Sequence, residues 1–386
     1  MRRAKLTSAL GLCATFALLA PISAARAELK PEQLHVEALA EAMRPHWVWI
    51  NDLSFDRMTE GRAYLVDADS GKLLGMVNGG FNHGSIFLDP AGQKFAIAST
   101  FYSRGTRGER TDVVTFYKTS DLKPAAEVVI PPKRYGGMPF PAALPITPDG
   151  RFGLIYNFTP EQSVTVVDLA SQSLVGEYPT AGCGLIYPTG QRSFLMLCGD
   201  GSIQPATLSP KGEVTLGKPT KPLFDKDDPV TEKGVWTGSS WLFFTMSGKV
   251  YEIGGAEDSK VSATWSLVEG DASWRPGAFQ TAAVHQRSGR LFVLMHQGGP
   301  ATHKDPGSEI WVFDLKKRTR VARLRLDSPA MSVAVSQDSK PLLYTTMFED
   351  PALKIYDATS LQLLRRVGEL GRTSTVIQPS PLAEAR

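Results

Sequence analysis

The chain has 386 residues, with 42 lysines and arginines against 39 aspartates and glutamates and a formal charge of +3. A hydrophobic share of 42% with 21% charged residues excludes a disordered polyelectrolyte, and 35 glycines with 27 prolines announce many turns. So small a charge imbalance also excludes a protein that holds nucleic acid on a basic surface.

The first element in chain order stands apart from the fold. Basic "MRRAK" precedes apolar "LTSALGLCATFALLA", and Ala25 and Ala27 supply small residues before Glu28. This is the pattern of a secretory signal peptide over residues 1–27, cleaved after Ala27. The rival, a membrane anchor, needs roughly 20 apolar residues where this run has about 15. Cys13 follows Leu12 rather than a small residue, which argues against a lipoprotein. Removing Arg2, Arg3, Lys5 and Arg26 with no acid takes the charge from +3 to −1. The expected mature protein is therefore soluble and periplasmic, with no nucleic acid and no membrane among its partners.

Residues 28–45, "ELKPEQLHVEALAEAMRP", form an N-terminal arm of helical composition with proline near both ends. A free helix that short is marginal; the alternative is an extended arm that becomes ordered against a partner.

From His46 to the end one phrase recurs. "RAYLVDADSGKLLGMV" (62–77), "VVTFYKTSDLKPAAEVVI" (113–130), "VTVVDLASQSLVGEY" (164–178), "KVYEIGG" (249–255), "IWVFDLKKRTRVARLRL" (310–326) and "LKIYDATSLQLLRRV" (353–367) are its copies. Each pairs an apolar strand with a tight turn and a second strand. At roughly 40 residues per unit and four short strands each, this is the signature of propeller blades. The fold class expected for 46–386 is all-β, a seven-bladed β-propeller, in preference to six or eight blades. The seventh, degenerate unit is expected within 202–248. "HWVWINDLSF" (46–55) supplies a lone strand at the front and the last unit looks one strand short, so pairing the two would close the ring and hide both sheet edges.

Cys183 and Cys198 bracket "CGLIYPTGQRSFLMLC", a hairpin whose tip is "PTGQR". The turn lies midway between them, which sets them opposite one another across two strands, within bridging distance. An oxidising compartment favours the disulfide. A redox or metal-binding pair is the rival, without a CxxC spacing or nearby histidine to support it.

Catalytic motifs are scarce. The sequence has no GxSxG, no HExxH and no CxxCH. Among histidines 35, 46, 83, 285, 296 and 303, His296 and His303 in "MHQGGPATHKDPGSE" could converge on a metal or simply belong to a Gly- and Pro-rich loop. Asp225, Asp227 and Asp228 lack the spacing of a calcium loop. Trp47 and Trp49 share one face of a strand and fit a core or a partner-facing surface, while Trp274 and Trp311 fit packing anchors. Phe55 is less comfortable. It follows the first strand in "NDLSFDRMTEG", where polar residues and Gly61 imply an exposed loop, so it either packs on the propeller face or lines an interface.

From His46 onward the chain resembles the heavy subunit of the quinoprotein amine dehydrogenases, the methylamine and aromatic amine dehydrogenases. The resemblance is carried by "RGTRGERTDVV" (104–114), "CGLIYPTGQRSFLMLCGDG" (183–201), "WRPGAFQTAAVHQRSGRLFVLMH" (274–296), "THKDPGSEIWVFD" (302–314), "SQDSKPLLY" and "LKIYDA". "PPKR" (131–134), "CGDG" (198–201) and "THKDPGSEIWVFD" (302–314) look closer to the aromatic amine branch. The resemblance implies a heterotetramer of two heavy and two light subunits, with tryptophan tryptophylquinone built into a cysteine-rich light chain. It implies that primary amines leave as aldehyde and ammonia while electrons pass to a blue copper protein, amicyanin- or azurin-like. No catalytic residue, metal or cofactor is then expected in this chain. Phe55 matches the family's channel phenylalanine, which gates amine access, and Cys183–Cys198 its intrachain disulfide. The arm at 28–45 matches poorly.

Two other classes compete. A non-enzymatic periplasmic propeller that binds or scaffolds proteins would have no stable cysteine-rich partner. A propeller enzyme acting alone would need either a central acid–metal site or a tryptophan-floored quinone pocket, and the sequence shows neither.

Overall fold

The computed structural model describes residues 37–255 and 259–382. The expected signal peptide and residues 28–36 of the arm lie outside them. Within Ala38–Arg386, the described residues form seven antiparallel sheets, the blades of a β-propeller.

Each blade owes its strands to a simple pattern of burial. The second strand from the axis is sandwiched between neighbouring blades and reads as an unbroken apolar run. Trp47–Asp52, Phe152–Asn157 and Leu342–Thr346 are buried at every position. Outermost strands have one wet face and alternate, as Val261–Ser266 does. The recurring aspartate closes the turn between third and fourth strands. Asp168 Oδ1 accepts the N–H groups of Ala170 and Ser171 at 3.0 Å, and Asp357 Oδ1 those of Thr359 and Ser360 at 2.9 and 2.6 Å. Asp67 and Asp314 act alike, bonding Asp69 and Lys317. A left-handed residue comes after each of the four, namely Gly71, Gln172, Arg318 and Leu361. The side-chain bonds satisfy the turn that this backbone needs.

The ring closes through blade 1. Ser374–Pro379 pairs with Trp47–Asp52, and Gly61–Asp67 and Lys72–Gly80 complete that sheet. The front strand does meet the end of the chain. The last repeat, however, is not one strand short: Ser332–Val335, Leu342–Thr346, Leu353–Asp357 and Leu363–Val367 make a full blade 7, and a further C-terminal strand enters blade 1. Segment 202–248 also differs from expectation. Its first part, Ile203–Leu208 and Val214–Leu216, finishes the cysteine blade, and blade 5 starts only at Val235–Trp236 and runs to Ser266. A two-residue inner strand has no period to detect, so the sequence pattern does not mark this boundary. Blade 3 keeps three strands, its inner position marked by the single bridge Ile146–Gly153.

The described part of the arm is not helical and bonds to the propeller itself. Leu39 N–H bonds the Ser120 carbonyl at 2.8 Å and Met43 N–H that of Gly92 at 2.9 Å. Leu39, Ala40 and Met43 thereby cover the core between blades 1 and 2, where Trp47 and Trp49 are buried. Trp49 lies 4.9 Å from the Phe95 ring, so both tryptophans are core residues.

His46 adds a charged latch across the closure. Its Nδ1 lies 2.6 Å from Asp69 in blade 1 and its Nε2 3.1 Å from Asp338 in blade 7. Burial opposes protonation, but the two carboxylates outweigh it and hold the imidazole pKa above its ordinary value. A raised folded-state pKa means the charged latch stabilises fully below about pH 6.5 and is lost as pH climbs through the folded value. His46→Gln is expected to lower stability by about 1 kcal/mol at pH 5.5 and by much less at pH 9, as measured by urea unfolding at the two pH values. Equal losses at both would rule the latch out.

Candidate functional site

Second strands of all blades end on one face of the disc, here the upper face, which also carries Phe55. Ser54, in the left-handed region at φ 52°, turns the chain off the first strand into a short 3-10 segment, Phe55–Glu60. Asp52, 1% exposed, organises the turn by accepting five hydrogen bonds. Two come from Ser54 N–H and Oγ, at 2.9 and 3.1 Å, and three from Arg372 N–H, Thr373 N–H and Thr373 Oγ1, at 2.9, 2.8 and 3.2 Å. Gly371 sits at φ +90° against this carboxylate, where a Cβ would collide with Asp52 Oδ2. The turn is therefore tied to the strand that closes the ring.

Phe55 stands out from this frame, 39% exposed. Its ring meets Phe348 edge-on at 5.7 Å, and Phe348 lies 5.1 Å from Phe279. Phe55 thus packs on the propeller face through one ring and is otherwise open to solvent. Phe101 and Phe158, 44% and 52% exposed, belong to the same face, at the ends of the second strands of blades 2 and 3. Singly exposed apolar side chains are ordinary on a surface; what sets Phe55 apart is its ring contact with Phe348. Beside Phe55 a rim cleft of about 810 Å³ is lined by Asp52, Arg57, Glu60, Asp350, Arg366 and Arg372. Its charges are largely paired, Arg57 with Glu60, Arg366 with Asp350 and Arg372 with Asp56.

The resemblance stretches 104–114 and 131–134 meet below the aromatic rim. Arg110 grips the buried Asp112 with two bonds, at 2.9 and 2.7 Å, and Asp112 also accepts the Arg134 N–H at 3.0 Å. The Arg134 guanidinium, 2% exposed, donates to the Phe81 and Asn82 carbonyls and to Thr100 Oγ1. Burial lowers its pKa to about 10, so it remains charged at neutral pH. These arginines frame loops and are not free to hold an anion.

Cys183 and Cys198 form the disulfide, directly opposite one another in blade 4. His296 and His303 lie on the upper face of blade 6. His296 Nε2 pairs with Thr302 Oγ1 at 2.9 Å, while the His303 carbonyl accepts Lys233 Nζ at 2.6 Å. Burial keeps both imidazoles below their ordinary pKa and lowers Lys233 to about 8. Asp228 bonds Ser247, and Asp225 and Asp227 are exposed. Among the described residues no three His, Cys, Asp or Glu gather as metal ligands. Trp274 and Trp311 pack 5.2 Å apart, with Arg323 over both rings. The central channel, about 610 Å³, has a mostly apolar lining that includes Ile86, Phe140, Pro188, Trp241 and Phe279.

Sequence reasoning singled out Phe55 and did not point to its neighbours Asp52, Thr373, Phe348 and Phe279. The letters "ND" before Phe55 were its one local signal, and they do not say what Asp52 binds.

Fold and site together define a seven-bladed propeller with a solvent-open aromatic cluster on one face. Solved structures of that fold include the Swd1 β-propeller domain from Myceliophthora thermophila, at TM-score 0.55 and 11% identity, covering 83% of this chain and all of that one. A functionally unknown protein from Desulfotomaculum acetoxidans matches at 0.61 and 11%, covering 88% and 100%. These show the fold alone. Sequence goes further: the family described as methylamine dehydrogenase heavy chain matches residues 45–380. The methylamine dehydrogenase heavy chain of Methylophilus methylotrophus is 32% identical over 98% of this chain and 96% of its own length. That of Methylorubrum extorquens is 30% identical over 83% and 79%. The chain belongs to the methylamine dehydrogenase heavy chain family, and is a heavy subunit of the amine dehydrogenase class.

The disulfide closes a loop with a sequence separation of 15 residues. Cys183→Ser/Cys198→Ser is expected to lose about 3 kcal/mol, read as a lower denaturant midpoint than the oxidised parent. An unchanged midpoint would show that the hairpin holds blade 4 without the bond.

Proposed function

We propose that this chain is the heavy subunit of a periplasmic α2β2 amine dehydrogenase, and that its upper face seats a cysteine-rich light subunit carrying tryptophan tryptophylquinone. That group, when bound in the light chain, supplies the oxidation of a primary amine to aldehyde and ammonia. A blue copper protein of amicyanin or azurin type would be the electron acceptor. The tryptophans of this chain fit a packing role instead. Trp47 lies under Arg44, Trp236 against Trp241, and Trp265 against Phe313, while Trp241 Nε1 donates to the Pro188 carbonyl and Trp311 Nε1 to Glu309. Their commitments suit a cofactor held by the partner.

The observation that carries the reading is the open Phe55 ring standing edge-on to Phe348 on the aromatic face. An amine reaches the quinone as an ammonium that must shed water. Aromatic ring faces attract a cation and partly offset that loss, and two rings set at an angle limit the width of the substituent trailing behind it. Phe55 would thus act as the gate of the substrate channel, selecting among primary amines by size, while the light chain does the chemistry.

Purification from the periplasm of the native host should yield a small quinone-staining, cysteine-rich chain alongside this one, with amine-dependent dye reduction. A single chain without quinone or activity overturns the proposal. In the assembled enzyme, Phe55→Ala is expected to change the kcat/KM ratio between methylamine and aromatic amines by about tenfold. An unchanged ratio removes Phe55 from the channel.

A further inference from the structure

Phe55 is held from two directions, and neither hold belongs to its own loop. We propose that Phe348 is a second specificity-determining wall of the amine channel and that Thr373 is the positioning residue that fixes Phe55 opposite it. This rests on the reading of Phe55 as a gate and names what the gate closes against.

The backbone hold comes from the closing segment. Phe55 N–H donates to Thr373 Oγ1 at 2.9 Å. That hydroxyl gives its one proton to Asp52 Oδ1, 3.2 Å away, and the Thr373 N–H donates to the same oxygen at 2.8 Å. A hydroxyl donates once and accepts elsewhere, so threonine serves here as a two-way link that valine could not replace. The Phe55 backbone is pinned, and only its side-chain torsions remain to move the ring.

The ring hold comes from blade 7. Phe348 stands at an interplanar angle of 74° to Phe55. It is half-buried and packs on Phe279, which is 8% exposed and joined to the core shared by blades 6 and 7. The two partners are unequal: Phe348 is backed by core, and Phe55 by one ring and solvent. A T-shaped pair presents one ring's face and the other's edge. The fixed ring defines where the movable one comes to rest, and therefore the gap an amine must pass.

The test uses the assembled heavy–light enzyme with methylamine, butylamine and phenylethylamine. Phe348→Ala is expected to shift the kcat/KM ratio between the smallest and largest amine by about tenfold, mainly through KM. Phe348→Leu keeps apolar volume without the ring and decides the matter should the alanine variant fail to assemble. Thr373→Val is expected to flatten the same preference and Thr373→Ser to restore it, whereas a residue that only supported the fold would affect all three amines alike. Phe55→Ala/Phe348→Ala should go no further than Phe55→Ala alone. If Phe55→Ala shifts the preference while the Phe348 and Thr373 variants keep the parental ratio, the inference is wrong and the gate stands. If Phe55→Ala itself changes nothing, gate and inference fall together.

Discussion

Everything in this molecule depends on one pairing, that of Trp47–Asp52 with Ser374–Pro379. A blade cannot bury both of its faces alone, so each needs two neighbours, and without the C-terminal strand the first blade would lack its innermost strand and that strand's packing on blade 7. The register is fixed from Val48 opposite Pro379 to Asp52 opposite Ser374. Apolar contact does not by itself specify it, because a closing strand can slide. Asp52 removes that freedom at one end of the pair by gathering the N–H groups of Arg372 and Thr373 on a buried carboxylate. Gly371 is required beside it because only a residue without a Cβ fits that backbone and that gap.

A polar network performs the same service farther down the seam. Asn51 Nδ2 donates to the Gln378 side chain at 2.9 Å, and Gln378 bonds both N–H and carbonyl of Ile86 in turn. Asn51 Oδ1 accepts from His83 Nε2 at 2.7 Å. Complete burial, with Arg134 nearby, pushes the His83 pKa down to about 3, so the ring is neutral and carries its proton on Nε2. Three side chains thus join blade 1, the closing strand and the entry to blade 2. Buried groups of this kind add little net stability while paired but are costly to orphan, so they specify one register against its neighbours.

How much of this could be seen in the sequence depends on the distance over which each feature is decided. Strand and turn were visible because the Asp67, Asp168, Asp314 and Asp357 turns are local devices, complete within five residues and repeated by the chain. The disulfide was visible because a hairpin sets its partners. The start of blade 5 was not, because its inner strand, Val235–Trp236, is too short to show alternation and a long connection precedes it. Phe55 could be singled out by its company of polar residues, and a channel role for it is implied only by resemblance. Its partners could not be found at all: the bond to Thr373 spans 318 residues and exists only once the ring is shut.

That last dependence explains the placing of the aromatic site. In a closed ring only the short outer edges of the blades stay free, and inner strand residues are committed to neighbouring blades, so change is cheapest in the loops of the two faces. The loop carrying Phe55 is one of these, and its turn, its first backbone N–H and its ring contact are supplied by blade 1, the closing segment and blade 7 respectively. A side chain placed there can be set to a fraction of a turn by groups that have another reason to be rigid. Precision at the face is then inherited from closure instead of being built separately.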